Sequence, residues 1–539
     1  MLIPQGMAYA LIAGLPPVYG LYASVVPQLI YAIFGTSRQL SVAPVAMDSL
    51  LVATGVSVMA TEGSEAYITY AIMLAFFMGA AQFILGMIRM GFITNLLSKP
   101  VISGFTSAAA LIIGLNQLKY LIGVDIEKSN AIHEILVSAA KGIGDIHWVT
   151  FVLGLAGIFL IKGVKKINKR IPGALLAVVL GILAVTFLGL DNSGVSIVRE
   201  VPEGLPSFMM PDLSMEMIQK LLPLSLTIAV VAFMEAFSVA KAIEAKKRNY
   251  KVMPNQELIA LGAANVVGSL FQSYPVTGGF SRSAVNEQAG AHTPLSSIIS
   301  AILVALTLLF LTPLFYNLPH AILASIIMVA VSGLIDLSYI RELWKTNKIE
   351  LALLLATAIV TLTLGMVPGI VSGIIMSILV LLFKAANPHI AFLGRMRGLK
   401  EYRNLKRFED LETWNNLTVV RVDAPFAFVN IQIIKEKILN MAIDKGESLE
   451  YVVLDAASVA YIDATGIVGL RDLMDSLREK NIKLLFAEVI GPVRDAFYKN
   501  GLVQKEEQVF FLTTDDAVNY CISNEFEEGR AKFALQTNG

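Results

Sequence analysis

The sequence predicts an α-helical polytopic membrane protein built as two inverted sets of seven segments, followed by a small cytoplasmic α/β domain. Three observations carry that prediction. Mean hydropathy is +0.67 and 55% of the 539 residues are hydrophobic, a membrane-class composition. Of the 84 Asp, Glu, Lys and Arg residues, 42 fall in the last 149 positions, so an apolar body precedes a domain of ordinary composition. The apolar runs also come in two groups of seven, with breaks at matching places in each group. That is the sequence mark of repeats around a central site.

In chain order, the first run, within LIPQGMAYALIAGLPP (residues 2–17), is only about 13 residues, whereas a spanning helix needs ~20. It has neither a charged leader nor a cleavage site, so it is not a signal peptide. Either the chain has lost its true start or the start is assigned too late; truncation is the expectation. Further runs follow near 17–34, 44–60, 67–88, 100–118, 148–162 and 173–190. The second set lies near 220–242, 256–271, 279–290, 293–313, 318–334, 349–365 and 368–385. The third segments open on SVAPVAMDSLL (41–51) and SYPVTGGFSRS (273–283), and the fifth segments of both sets begin beside a proline.

Loop charge sets orientation. Lys162, Lys165, Lys166, Lys169 and Arg170 follow the sixth segment; Lys241, Lys246, Lys247, Arg248 and Lys251 follow the eighth; Arg341, Lys345 and Lys348 follow the twelfth. The 191–206 loop has only Arg199. Even-numbered segments therefore end in the cytoplasm, and no nucleic-acid role is expected of basic residues at membrane edges. The expected divisions are a membrane domain at 1–390, a juxtamembrane linker at 391–412 able to meet anionic lipid headgroups, an α/β domain at 413–530 and a tail at 531–539. Strand-like runs in the α/β domain are LTVVRVD (417–423), FAFVN (426–430), YVVLDA (451–456) and IKLLFAEV (482–489). Ile467, Leu470, Met474 and Leu477 mark a helix between them.

The stretch SYPVTGGFSRSAVNE (273–287) sits at membrane depth yet holds Pro275, Gly278, Gly279, three serines and Arg282. A lipid-facing helix does not tolerate that composition. An interrupted helix does: extended chain to Gly279, then a short helix whose first amides and Arg282 favour an anion. The alternative is a re-entrant loop with Arg282 paired to a carboxylate. Val45 and Ala46, after Pro44, open a second half-helix facing the first. Asp48, one turn in, is protonated, paired or part of an ion pathway. Gln5 and Tyr9, four apart on one helical face, offer neutral donors or helix-packing contacts. Glu235, mid-span, is a functional candidate: an arriving anion takes the charge of Arg282 and leaves Glu235 to bind a proton. A permanent Glu235–Arg282 pair is the alternative. The single Cys521 and five unclustered histidines give no metal or redox motif, and with no nucleophile–base pair or phosphate loop neither catalysis nor a cofactor is expected.

GLPPVYGLYASVVPQLIYAIFGTSRQLSVAP (14–44), AFMEAFSVAKA (232–242) and NQELIALGAANVVGSLFQSYPVTGGFSRSAVN (255–286) resemble the SulP sulfate permeases. YVVLDAASVAYIDATGIVGL (451–470) is similar to a STAS domain. The resemblance implies the uracil-transporter-like fold with core and gate domains, and a homodimer. It implies an anion site lined by Gln5, Tyr9, Ala46, Ser281 and Arg282, with Val45 and Phe280 as its apolar wall. Glu235 matches the carboxylate of plant proton–sulfate symporters, and Asp48 stands where the family usually carries an apolar residue, which opens the identity of the coupling ion. In the STAS loop Asp463 is followed by Ala464 and Thr465, so the phosphorylated serine of related anti-sigma antagonists is absent; docking to a cytoplasmic protein or regulation is expected instead. The function expected is uptake of sulfate or a similar small anion with protons across a bacterial inner membrane. The rivals are sodium-coupled bicarbonate transport, anion exchange, and a non-transporting anion sensor that signals through STAS.

Overall fold

The computed structural model of the chain describes residues 1–95, 98–124, 132–167, 171–504 and 509–523. Lys169, Arg170, the 531–539 tail and the end of the expected 413–530 domain lie outside the described residues, as does the side chain of Lys165. The chain forms two compact units, Met1–Ser377 and Ile378–Gly539.

The first half of the membrane unit runs α1 (Leu2–Ile12), α2 (Pro17–Tyr22), α3 (Val26–Phe34), β1 (Val42–Ala43), α4 (Ala46–Val56), α5 (Glu65–Met87), α6 (Lys99–Asn116), α7 (Leu118–Ile122), α8 (Ile132–Lys141), α9 (Trp148–Ile167) and α10 (Gly173–Leu188). The second half runs α11 (Met215–Lys247), α12 (Pro254–Ser269), β2 (Thr277–Gly278), α13 (Phe280–Gln288), α14 (Leu295–Phe310), α15 (His320–Ser332), α16 (Leu337–Thr346), α17 (Lys348–Leu364) and α18 (Met366–Ala386). In the third place of each half stands the same device, a two-residue strand followed by a short helix. Among the described residues six stretches are long and apolar enough to cross a bilayer unaided, and α4, which follows β1, is one of the shorter apolar helices.

Two helix groups follow from the packing. Helices α5, α11, α12 and α3 pack together and hold α13, α14 and α4, while α6, α7, α9 and α10 pack with α15 and α17. Within lipid there is no hydrophobic gain in bringing helices together, so close backbone approach carries the association. Glycines provide it. A Cβ on Gly262 of α12 would lie 2.5 Å from the Phe83 amide nitrogen and 2.7 Å from the Gly79 carbonyl oxygen, both on α5. Gly6 of α1 and Gly20 of α2 meet backbone to backbone in the same way. Outward positions stay apolar, as with Phe159 on α9 and Phe187 on α10, which are 67% and 79% exposed.

The second unit is a sheet ordered β4 (Tyr402–Asn404), β3 (Ile390–Met396), β6 (Leu417–Val422), β7 (Tyr451–Asp455), β8 (Lys483–Ala487), β9 (Phe510–Phe511), with β5 (Leu411–Glu412) paired to β3. Strands β6 to β9 are parallel, as expected of strands joined through helices. The helices are α19 (Ile431–Lys445), α20 (Ala464–Arg478), α21 (Gly491–Lys499) and α22 (Thr514–Ser523). Two expectations are corrected here. Residues 391–412 are not a free linker: β3 runs antiparallel to β6 from Ile390↔Val422 to Leu393↔Val419, and Tyr402 donates to Asp515 at 3.0 Å. Burial, and then the Asp515 carboxylate, raise that phenol above its ordinary value. FAFVN is not a strand either. Phe426 makes a single bridge to Ile462, and the Ala427 amide donates to Asn430 Oδ1 at 3.1 Å, which turns the chain into α19. Cys521 is buried on α22, where burial pushes its thiol up to about 12 and keeps it unreactive.

Replacing Gly262 by valine is expected to cost about 1–3 kcal/mol through overpacking against α5. Gly163→Ala, where no described atom lies within 4 Å of the added methyl, is expected to keep stability or raise it by up to about 1 kcal/mol through helix propensity. Thermal unfolding in detergent separates the two.

Candidate anion site

Strands β1 and β2 pair antiparallel, Val42 opposite Gly278 and Ala43 opposite Thr277. The Gly279 amide adds a bond to the Ser41 carbonyl at 3.1 Å. Each chain then leaves the ladder through an extended residue, Val45 (φ −127°, ψ 149°) or Gly279 (φ −84°, ψ 127°), and enters a helix. The first helical bonds match: Ser49 donates to Val45 at 3.0 Å, and Ser283 to Gly279 at 3.1 Å. The amides of Ala46, Met47 and Asp48, and of Phe280, Ser281 and Arg282, have no acceptor inside their helices. They give the site two converging positive helix ends.

Sequence reasoning missed what braces these ends. Ser49 Oγ lies 3.1 Å from the Tyr274 hydroxyl, and Ser283 Oγ accepts from the Ser41 amide at 2.9 Å, so each helix is tied to the strand segment of the other repeat. Asn265, a buried amide on α12, accepts from the Val276 amide at 2.9 Å and donates to the Val276 carbonyl at 3.0 Å. Thr277 donates to the Ala232 carbonyl of α11 at 2.6 Å. The one available signal was a polar residue inside an otherwise apolar helix, as at Asn265.

Arg282 is buried and folds back over its own helix start. Its Nη1 donates to the Pro44 carbonyl at 2.7 Å and Nη2 to the Ala43 carbonyl at 3.0 Å, while Nε has no partner. The guanidinium covers Gly279 so closely that a Cβ there would lie 2.8 Å from Nη2. Among the described residues no carboxylate pairs with it, so neither the re-entrant loop with a paired Arg282 nor a fixed Glu235–Arg282 pair is present. The electrostatic influence of Arg282 still reaches Glu235 of α11 and Tyr9 of α1, and that of Glu235 reaches Asp48 of α4.

Around this charge the buried polar atoms are unsatisfied. Gln5 Oε1, both carboxylate oxygens of Asp48, Glu235 Oε2 and Arg282 Nε have no hydrogen-bond partner. Native interiors seldom leave so many polar atoms without a partner, and each calls for an explanation. Gln5, Tyr9, Val45 and Ala46 are buried beside them, whereas Phe280 is 61% exposed and Ser281 is also open. The phenyl ring therefore stands on the accessible side.

In the second unit Asp463 caps α20: Oδ1 accepts from the Gly466 amide at 2.7 Å and Oδ2 from the Phe428 amide at 2.9 Å. Thr465 is exposed in the first turn.

Fold and site together define a polytopic membrane transporter with a STAS domain. The chain belongs to the sulfate permease family, whose profile matches residues 1–357; the STAS domain profile matches 410–517. The chain is 38% identical to sulfate transporter 4.1, chloroplastic, of Arabidopsis thaliana, covering 100% of this chain and 81% of that one. It is 34% identical to a probable sulfate transporter of Mycobacterium tuberculosis, over 96% and 92% of the two chains. The murine solute carrier 26 family member A9 anion transporter shares the fold at TM-score 0.90 and 24% identity, with 97% of this chain and 90% of that one covered. The transmembrane domain of a cyanobacterial bicarbonate transporter matches at TM-score 0.61 and 21% identity, over 70% and 94%.

Gly279→Ala is expected to displace the Arg282 guanidinium and weaken anion binding by about tenfold or more, the cost of a methyl forced into a packed site. Sulfate titration of purified protein reads this. Asp463→Ala is expected to cost about 1–2 kcal/mol by removing the cap of α20, seen as faster hydrogen exchange at Phe428 and Gly466. Thr465→Ala should leave that exchange unchanged.

Proposed function

We propose that the protein is a secondary active transporter that carries sulfate, or a similar small inorganic anion, inward by proton symport. The observation that carries this reading is the set of unpaired buried polar atoms where two half-helix ends and Arg282 meet. A compact oxyanion fits that set. The free amides of α4 and α13 and the Nε of Arg282 donate to it, Gln5 and Tyr9 offer neutral contacts, and Val45, Ala46, Phe280 and Ser281 complete the wall. Sulfate is the substrate that the names of the related proteins support.

Coupling follows from charge. The anion takes up the positive field that Glu235 otherwise shares, and a carboxylate left without compensation in a dry site binds a proton. Asp48 stands beside Glu235 in the same field. The basic loops support a cytoplasmic STAS domain, and a bacterial inner (plasma) membrane is the membrane this reading assigns. The unit Met1–Ser377 is the transport domain in this reading, a homodimer is the working assembly, and the STAS surface docks a cytoplasmic protein.

Radiolabelled sulfate uptake into proteoliposomes tests the proposal. An inward proton gradient is expected to drive accumulation, Glu235→Gln to lose that drive, and Arg282→Ala to abolish uptake. Movement of bicarbonate with sodium instead of sulfate would overturn the substrate. Anion binding without any flux would replace transport by sensing.

A further inference from the structure

The backbone repeat places two residues of opposite charge at equivalent positions. Counting from the extended residues Val45 and Gly279, Asp48 is the third residue of α4 and Arg282 the third residue of α13. Asp48 is 0% exposed and neither of its oxygens has a partner. Glu235 Oε2 is buried and unpartnered on α11, which packs against α4. The site thus holds two carboxylates and one guanidinium.

A charge count brings the carboxylates in. Arg282 contributes one positive unit and the N-termini of α4 and α13 roughly half a unit each, about two units from these three sources. In the empty site that field balances two ionised carboxylates. A divalent anion takes the whole of it, and both carboxylates are left buried without compensation. Each must then bind a proton, because an unpaired buried charge costs far more than protonation.

We propose that Asp48 is a second proton site, and that each divalent anion is bound with two protons, one on Asp48 and one on Glu235. This rests on the symport reading above. Two protons bind from the side on which the anion enters and both leave with it, so the step moves two negative and two positive charges. Transport of a divalent anion is electroneutral.

The groups that face Asp48 are few. Glu235 comes from α11 and Tyr9 from α1, both of which pack on α4. Tyr274, whose hydroxyl lies against Ser49, comes from the segment before β2. Helices α5 and α6 also pack on α4. Of their titratable groups, the Tyr67 hydroxyl donates to the Ala13 carbonyl at 2.7 Å and the Lys99 ammonium lies on the Tyr339 ring at 4.1 Å. Glu65 and Tyr70 lie in the first two turns of α5, and Lys99 is the first residue of α6.

Sulfate affinity measured against pH on the purified full chain tests the inference. Linkage makes the slope equal to the number of protons bound with the anion. Wild-type affinity is expected to fall about a hundredfold per pH unit where both carboxyls titrate, and that of Asp48→Asn or Glu235→Gln about tenfold. Asp48→Glu should keep the steeper slope. An Asp48→Asn slope equal to wild type overturns the inference. If that variant does not fold, uptake by wild type under an imposed membrane potential decides: electroneutral transport is insensitive to it, and sensitivity overturns the inference. A wild type driven by protons whose affinity falls only tenfold per unit overturns this inference alone. A wild type that neither binds nor moves sulfate overturns the symport reading and this inference with it.

Discussion

Everything in the membrane unit depends on satisfying backbone polar groups where no water is expected. Breaking a helix at membrane depth exposes amides and carbonyls whose burial without partners costs several kcal/mol each, roughly. This chain breaks two helices and lets each repair the other. The β1–β2 ladder is only two residues long on each side, yet it consumes the carbonyls and amides that the breaks set free. Arg282 closes the open end of the ladder by donating to the carbonyls of Ala43 and Pro44. What remains unpaired is the first turn of each half-helix, and these donors face the same place.

The repair explains why the site needs both repeats. A single half-helix has a weak field, screened within a turn; two ends held by reciprocal serine contacts point at one volume without a side chain having to cross it. Asn265 and Thr277 serve the same end, since they fix β2 to α12 and α11. The glycines at the α5–α12 contact bring α12, and with it Asn265, close enough to clamp the strand. Packing, ladder and anion field are successive consequences of one constraint.

Legibility in the sequence followed the same physics. Apolar runs and their proline and glycine breaks gave the helices of both halves, because lipid punishes exposed backbone and leaves a strong compositional trace. Arg282, Glu235 and Asp48 were legible as charges where charge is costly. The partners of Arg282 were not, since they are carbonyls, which every residue carries. The braces through Ser49, Ser283 and Tyr274 depend on how the repeats face each other, and no local pattern encodes that. In the second unit, strand β3 was hidden by charge: RMRGLKEYRNLKRFEDLE (395–412) looks like a linker. Arg395 of this run stands on β3 between β4 and β5, where it meets Glu412 at 2.9 Å.

Backbone symmetry and charge asymmetry divide the work at the centre. Two half-helices related by the repeat are interchangeable as donors, so alone they would treat the two sides of the membrane alike. Arg282 on α13 and Asp48 on α4 remove that equivalence, because one third-position residue adds to the helix field and the other subtracts from it. In the proposed reading the anion is drawn toward α13, where the guanidinium lies over Gly279, and a carboxyl remains on the α4 side. Its two oxygens have no other acceptor or donor to serve. Under the proposed mechanism a residue in that position changes its charge in response to what fills the site, which is the physical requirement for coupling one ion's movement to another's.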